Sequence, residues 1–286
     1  MRDFEYFEPS NIAEAVSLLV KYNGQAKLMA GGTDVVVRLK HDSVKPKYIV
    51  NIGSISDLDY ITVDDKKGIR IGALTTMRAL EKSQELQEAC PILSQAASLL
   101  GNPTIRNVAT IGGNICNASP AADTIPPLVV LSAKAKLVGP KGERIVSIQD
   151  FCTGPGCTIC QTGEVLTEIQ VPVPPANTRS IYLKHAARGL GDLAIVGVAV
   201  VATIESKDRI CKDVKIALGA VAPTPIRAFE AEKVIRGQKI TQSVIEKCAE
   251  AARDEASPIS DVRSSAEYRK ILVKVYVKKA LSEMVA

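Results

Sequence analysis

Tryptophan is absent from this chain of 286 residues, and aromatic residues make up only 4% of it. The core must therefore be aliphatic and alanine-rich. Only two histidines occur, His41 and His185, which excludes zinc sites with histidine spacing. A G-x-S-x-G elbow, a P-loop and the Rossmann pattern G-x-G-x-x-G are all missing, so a nucleotide here has to be held another way. Charge of one sign is not concentrated: 36 basic and 31 acidic residues give a net charge of +5, spread along the chain. That is a solvated surface and not a nucleic-acid footprint. The longest strongly apolar run without charge, Leu193 to Ile204, is shorter than the ~20 residues of a membrane span. Met1-Arg2-Asp3-Phe4-Glu5 is charged and no apolar segment follows, so no leader is read and a cytoplasmic location is expected. Seven cysteines, odd in number and unevenly placed, argue against a secreted disulfide framework.

What is present is 46% hydrophobic and 23% charged, the composition of a folded globular protein long enough for two domains. Two glycine stretches organise it: Ala30-Gly31-Gly32-Thr33-Asp34 and Thr110-Ile111-Gly112-Gly113-Asn114. Paired glycines let backbone approach a ligand closely. Their successive N–H groups can form a concave anion site suited to phosphate. Two such loops, far apart in sequence, are placed to grip one diphosphate from two sides.

The pattern around them is α/β at first. Asn11 caps a helix with Glu14 at capping-box spacing, and Ile12, Ala15, Val16, Leu19 and Val20 form its apolar face. Lys27-Leu28-Met29 is a short strand running into the first glycine loop, and Asp34 to Leu39 begins a helix or turn. Tyr60 to Val63 and Ile69 to Ile71 make a hairpin; Thr75 to Ser83 and Pro91 to Leu100 are helical. Asn102 to Asn107 reads as a polar connection, Leu128 to Leu131 as an apolar helix after Pro126-Pro127, and Phe151 to Gly163 as a loop. Pro172-Val173-Pro174-Pro175 is the linker candidate. Beyond it come strands at Ser180–Ala186, Ala194–Glu205 and Val214–Val221. Helices follow at Ala228–Arg236, Thr241–Ala256 and Ser264–Glu283, the last with a capping box of Ser264 and Glu267. Strands followed by helices imply an antiparallel sheet with helices on one face, an α+β domain.

Taken with their flanks, the glycine loops resemble a known family. Besides the first loop, the likeness rests on Asn107-Val108-Ala109-Thr110-Ile111-Gly112-Gly113-Asn114, Ala118-Ser119-Pro120-Ala121-Ala122-Asp123 and Gly163-Glu164-Val165-Leu166. In the second half it includes Tyr182-Leu183-Lys184 with Gly191-Asp192, Pro223-Thr224-Pro225-Ile226-Arg227-Ala228 and Ser265-Ala266-Glu267-Tyr268-Arg269. In this order the chain resembles, over nearly its whole length, the FAD-binding medium subunit of the molybdenum hydroxylases, the xanthine dehydrogenase and carbon monoxide dehydrogenase family.

The resemblance implies an α+β fold: a two-lobed FAD-binding domain of the PCMH/VAO type over residues 1–173, with lobes at about 1–55 and 56–173. A small α+β domain follows over 178–286, a three-stranded antiparallel sheet with helices like that of the CO dehydrogenase flavoprotein. FAD would lie noncovalently between the lobes. Lys27, Leu28, Met29, Ala30, Gly31, Gly32, Thr33 and Asp34 would contact its diphosphate and ribityl chain. Thr110, Gly112, Gly113 and Asn114, with Cys116 just beyond, would approach from the other side, Thr33 and Thr110 supplying hydroxyl donors. Asp123 would accept from the nucleotide half, or else cap the helix near Pro126. Leu166 would meet flavin or adenine through its backbone. Lys184 would stabilise negative charge at the pyrimidine edge of the flavin, or else face solvent from its strand. Asp123 and Lys184 would thus mark the two ends of the ligand. Arg263, Tyr268 and Arg269 fix the terminal helix or face a partner. No catalytic acid or base is required of the chain.

The further implication is an oxidoreductase subunit that takes electrons from [2Fe–2S] clusters of a small partner, downstream of a molybdopterin site on a large one. It would pass them to NAD⁺ or another acceptor in a dimer of heterotrimers. A standalone FAD oxidase or dehydrogenase is the rival enzyme reading, and a noncatalytic nucleotide-binding or assembly protein the rival from another class. Cysteine is where the chain departs from the family pattern: Cys152, Cys157 and Cys160 form C-x4-C-x2-C in an uncharged loop. With Cys116 they could ligate an additional [4Fe–4S] cluster, or remain reduced thiols.

Overall fold

Residues 3–175, 177–189, 191–205 and 208–285 are described by the computed structural model; Met1 and Arg2 of the charged N-terminus and Ala286 lie outside them. The first lobe is a three-stranded parallel sheet in the order β1-β3-β2. Its elements are β1 (Glu5–Phe7), α1 (Ile12–Lys21), β2 (Ala26–Met29), α2 (Val35–Lys40) and β3 (Tyr48–Asn51). Asn11 caps α1 through a bond from Glu14 N at 2.9 Å, and the Glu14 carboxylate returns one to Ser10 N at 2.8 Å. Ala15 and Val16 of α1 pack with Val50 and Ile52. This burial leaves the C-terminal end of β2 free to carry the first glycine loop, since ligands in open α/β sheets bind beyond strand C-termini.

The second lobe is built on a five-stranded antiparallel sheet in the order β4-β5-β10-β6-β7. The hairpin β4 (Ile61–Asp64) and β5 (Gly68–Gly72) closes where the Asp64 carboxylate accepts from Lys66 N and Lys67 N, at 2.8 and 2.7 Å. Six helices follow: α3 (Met77–Lys82), α4 (Gln84–Ala89), α5 (Pro91–Leu99), α6 (Pro103–Arg106), α7 (Ile111–Asn117) and α8 (Ile125–Val130). Strands β6 (Lys134–Gly139), β7 (Gly142–Ser147), β8 (Cys152–Gly154), β9 (Cys157–Thr158) and β10 (Val165–Val171) complete it. Three local readings are revised here. The stretch 102–107 is not merely a connection, because Asn102 caps the single turn α6. The second glycine stretch is the first turn of α7. The loop 151–163 contains a small antiparallel ribbon, β8 with β9.

In the last third, β11 (Thr178–Ala186), β12 (Ala194–Glu205) and β13 (Ile210–Gly219) make the long antiparallel sheet, with the two-residue β14 (Ile226–Arg227) at its edge. Helices α9 (Phe229–Ile235), α10 (Gln242–Glu255) and α11 (Ala266–Val285) cover one face. Alternate residues of a strand point to opposite faces. Here Val198, Val200, Ile216 and Leu218 enter the core beneath those helices. Tyr182, Ala199 and Ala217 enter the core of the second lobe, against which α5 and α8 also pack. The cap of α11 is Ser265, whose hydroxyl accepts from Tyr268 N at 3.2 Å; Ser264 is one residue too early. Arg269 has the helix-fixing role: buried, it donates to the carbonyls of Ile195 and Ala220 at 2.7 and 3.1 Å and pairs with Asp261 at 2.8 Å.

Candidate functional site

The end of β2 and the start of α7 meet across a cleft of about 370 Å³. Close backbone packing, across the lobes for Gly31 and within the second lobe for Gly112, explains one glycine of each pair. A Cβ on Gly31 would stand 1.7 Å from the Val108 carbonyl oxygen, and one on Gly112 would stand 2.7 Å from that of Ala73. These two glycines let backbone pack on backbone. Gly32 (φ +71°) and Gly113 complete the cleft wall, with Met29 beneath Gly32.

The loops differ in what they offer. Among the described residues, the backbone N–H groups of Gly31, Gly32, Thr33, Asp34 and Val35 meet no acceptor. Buried or half-buried backbone donors are rarely left so, and a row of them is a demand for an anionic ligand. The second loop has no such surplus. Ile111 N and Gly112 N donate to the carbonyls of Thr75 and Ala73 at 3.0 and 2.9 Å. Gly113 N donates to Thr110 Oγ1 at 3.1 Å, and Asn114 N to Thr110 O at 3.0 Å. The expectation that both loops present free N–H groups therefore holds for the first alone. The second contributes side chains: the Thr110 hydroxyl, whose proton remains available, and Asn114, whose Oδ1 is taken by Thr124 Oγ1 at 2.6 Å, leaving its NH₂ to the cleft.

Of the residues singled out in the sequence, Lys27, Leu28, Ala30, Gly31, Gly32, Thr33, Asp34, Thr110, Gly112, Gly113, Asn114, Cys116, Asp123 and Leu166 line this one cleft. Leu166 does so beside a register shift between Leu166 and Glu168, the kind of irregularity that re-aims a strand. Met29 and Lys184 stand behind the wall. Lys184 Nζ donates to Asp123 Oδ2 at 2.8 Å and to the Leu99 carbonyl at 3.0 Å, while Tyr182 Oη donates to Asp123 Oδ1 at 2.9 Å. Asp123 and Lys184 are thus partners and cannot mark opposite ends of a ligand. Neither alternative role is realised: α8 has no side-chain cap, and the Lys184 side chain is only 5% exposed. Burial pushes the Asp123 carboxyl upward, against the pull of Lys184 and Tyr182. Burial and the neighbouring carboxylate hold Tyr182 well above its ordinary range, so it stays a donor.

Sequence reasoning missed Arg38. It stands one turn beyond Asp34 on α2, lines the cleft, and is aimed by a bond from Nη2 to Asn117 Oδ1 at 2.8 Å. A basic residue one turn past a glycine loop was the available signal. Gly191 and Asp192, named in a motif but given no site role, line the far wall, where Gly191 (φ +94°) lies against Gly101, a Cβ there standing 3.2 Å from its carbonyl.

The four cysteines weighed as cluster ligands do not form a set. Cys116, Cys152 and Cys160 influence one another, whereas Cys157, opposite Gly154 in the ribbon, is exposed and takes no part. Folding of 152–158 into paired strands fixes Cys157 outward and prevents convergence. Among the described residues, no group of three or more His, Cys, Asp or Glu side chains is placed to hold a metal.

Comparison with known proteins names the family and its cofactor. A family model described as the FAD binding domain in molybdopterin dehydrogenase matches residues 2–174, and one described as the CO dehydrogenase flavoprotein C-terminal domain matches 181–284. The chain belongs to the FAD-binding medium subunits of the xanthine dehydrogenase and carbon monoxide dehydrogenase family. The Escherichia coli O157:H7 xanthine dehydrogenase FAD-binding subunit is 36% identical over 100% of this chain and 98% of its own length. The carbon monoxide dehydrogenase medium chain of Afipia carboxidovorans is 36% identical over 97% and 95%. Reconstituted CO dehydrogenase from Oligotropha carboxidovorans superposes with a TM-score of 0.94 at 35% identity, covering 100% of this chain and 99% of that one. This medium subunit is therefore an FAD-binding oxidoreductase component of a molybdenum hydroxylase complex. The free N–H row, the hydroxyls and Arg38 suit a diphosphate-bearing cofactor. Among the described residues no helix is long and apolar enough to cross a membrane.

Proposed function

We propose that the subunit carries electrons from [2Fe–2S] clusters of a small partner subunit, fed by a molybdopterin site on a large one, to NAD⁺ or another acceptor. The assembly is read as a cytoplasmic dimer of heterotrimers. The observation that carries this reading is the row of unpaired N–H groups from Gly31 to Val35, facing Thr110 and Asn114 across a cleft into which Arg38 also projects. Those N–H groups and Arg38 hold the diphosphate. Thr33, Thr110 and Asn114 add hydrogen bonds that orient it. Leu100, Leu193 and Leu166 give the cleft apolar lining that would suit the ring end. Bound FAD supplies the redox chemistry, a carrier able to accept electrons singly and deliver them in pairs. The chain itself needs no acid or base; it binds, orients and excludes water. Lys184, behind the wall, is paired with Asp123, so any electrostatic effect on the ring end comes from the pair and not from a free cation.

The test is purification with partners retained. The flavin absorbance band and two further chains should co-elute with this subunit. Colourless protein that stays colourless after FAD addition would end the reading, and a flavoprotein without partners would favour the standalone oxidase. Anaerobic NADH bleaches the flavin band if NAD⁺ is the acceptor; an unchanged band assigns another acceptor.

A further inference from the structure

The segment between α5 and the second glycine stretch serves two walls of the cleft. At its start Leu100 and Gly101 line the cleft, and Gly101 (φ +48°) lies against the backbone of Gly191. The segment then makes the single turn α6 and reaches Val108, whose carbonyl meets Gly31 of the first loop. A helix end leaves its last carbonyls without partners inside the helix. At the end of α5 three consecutive carbonyls are taken by cations instead. Lys184 Nζ donates to the Leu99 carbonyl at 3.0 Å. Arg106 Nη1 donates to the carbonyls of Leu100 and Gly101, at 3.0 and 3.1 Å.

The Arg106 side chain is only 10% exposed and is fixed from behind. Its Nε donates to Glu81 Oε2 at 2.9 Å, an oxygen that Arg78 Nη1 also reaches, at 3.0 Å. Arg78 is the more exposed of the two and, among the described residues, bonds to Glu81 alone. The planar guanidinium of Arg106 therefore ties one carboxylate and two carbonyls into a single geometry, which an ammonium on a flexible stem does not reproduce.

We propose that Arg106 is a positioning residue for the bound FAD. It does not line the cleft. It acts through Leu100 and Gly101, holding their turn in its left-handed bend and against Gly191. The same short segment supplies the contact to Gly31, so the clamp sets the far wall relative to the first glycine loop. Without the guanidinium the two carbonyls lose their donor and the turn shifts, which loosens the grip on the cofactor. The inference rests on the reading of this cleft as the FAD site.

The experiment uses the intact complex. FAD release on dilution is followed by the fluorescence of the freed flavin, and visible circular dichroism of the bound flavin reports its surroundings. Arg106→Gln should release FAD roughly tenfold faster, the size of one charge-assisted hydrogen bond, and Arg106→Lys should fall between it and the parent. Both should alter the dichroism. Arg78→Met takes a cation from the same carboxylate without touching the turn, and should keep the parental rate and spectrum. Ser94→Ala removes a buried bond to the Leu80 carbonyl and supplies a purely structural loss. It should lower the urea midpoint and leave both flavin readouts unchanged. Parental release and dichroism in Arg106→Lys would overturn the proposal, even if the glutamine variant fails to assemble. So would equal changes in Arg78→Met or Ser94→Ala. A parental complex that holds no FAD would overturn the flavin reading and this inference together, whereas unchanged Arg106 variants of a flavin-holding parent overturn the inference alone.

Discussion

Gly31 and Val108 touch backbone to backbone: a Cβ on the glycine would lie 1.7 Å from the valine carbonyl oxygen. Neither loop can yield without moving its lobe. Gly31→Ala should therefore separate the lobes and yield protein that purifies with little or no flavin. Gly24→Ala is the control. Its φ of +70° makes alanine strained, at a cost of about 1–2 kcal/mol, but no atom lies within 4 Å of the new Cβ. It should lose stability and keep its flavin. Flavin-to-protein absorbance ratios of the two variants check this.

Arg38 is the sole guanidinium that lines the cleft among the described residues. Loss of a charge-assisted hydrogen bond costs about 1.5–3 kcal/mol, so Arg38→Ala should weaken FAD binding roughly tenfold to a hundredfold. Arg38→Lys keeps the charge but not the fork that Asn117 orients, and should recover only part. Titration of apoprotein with FAD, followed by flavin fluorescence, measures both.

The Lys184–Asp123 pair is buried on both sides, at 5% and 7% side-chain exposure. Removing one member of such a pair typically costs about 3–5 kcal/mol, because the other charge is left without compensation. Lys184→Met should therefore be strongly destabilising, and Asp123→Asn combined with Lys184→Met should be less so. Urea unfolding of the single and double variants decides it. A single variant as stable as the parent would contradict the pairing.

Glu164 gives a pH signature. The hydrogen bonds from Arg144, opposed by burial and helped by Gln161 N, hold its carboxyl below the usual range. A depressed folded-state value means stability that is present above the unfolded pKa of about 4.3 and is lost as pH falls through the folded value. Glu164→Gln should thus be less stable than the parent at pH 7, with the gap closing at acid pH. Urea midpoints across that range supply the measurement.

The reach of the sequence can be traced through particular residues. Asn11 and Glu14 are local signals, and the cap they predict forms. The two glycine pairs locate the cleft only when read with their flanks, because a Gly–Gly pair alone also serves ordinary turns. Which glycine serves packing and which faces the ligand was not legible, since that depends on Val108 across the lobes from Gly31 and on Ala73, brought against Gly112 within the second lobe. Asp123 and Lys184, 61 positions apart, carry no mark of their ion pair in sequence. Cys157 looked equivalent to Cys152 and Cys160 until the tight turn at Gly156 set the faces of the ribbon. β14, only two residues long, has too little periodicity to be seen.

The sheet of β11 to β13 has a different owner on each face, Val198 and Val200 serving one core and Ala199 and Ala217 the other. Cutting the chain at the proline-rich linker would strip cover from a sheet that is buried on both sides. The C-terminal third is consequently a keystone and not a detachable module: the last helix, through Arg269, holds β12, which packs on α8, while the neighbouring β11 packs on α5. Chimeras that exchange this third between relatives should work only when the α5 and α8 surfaces travel with it.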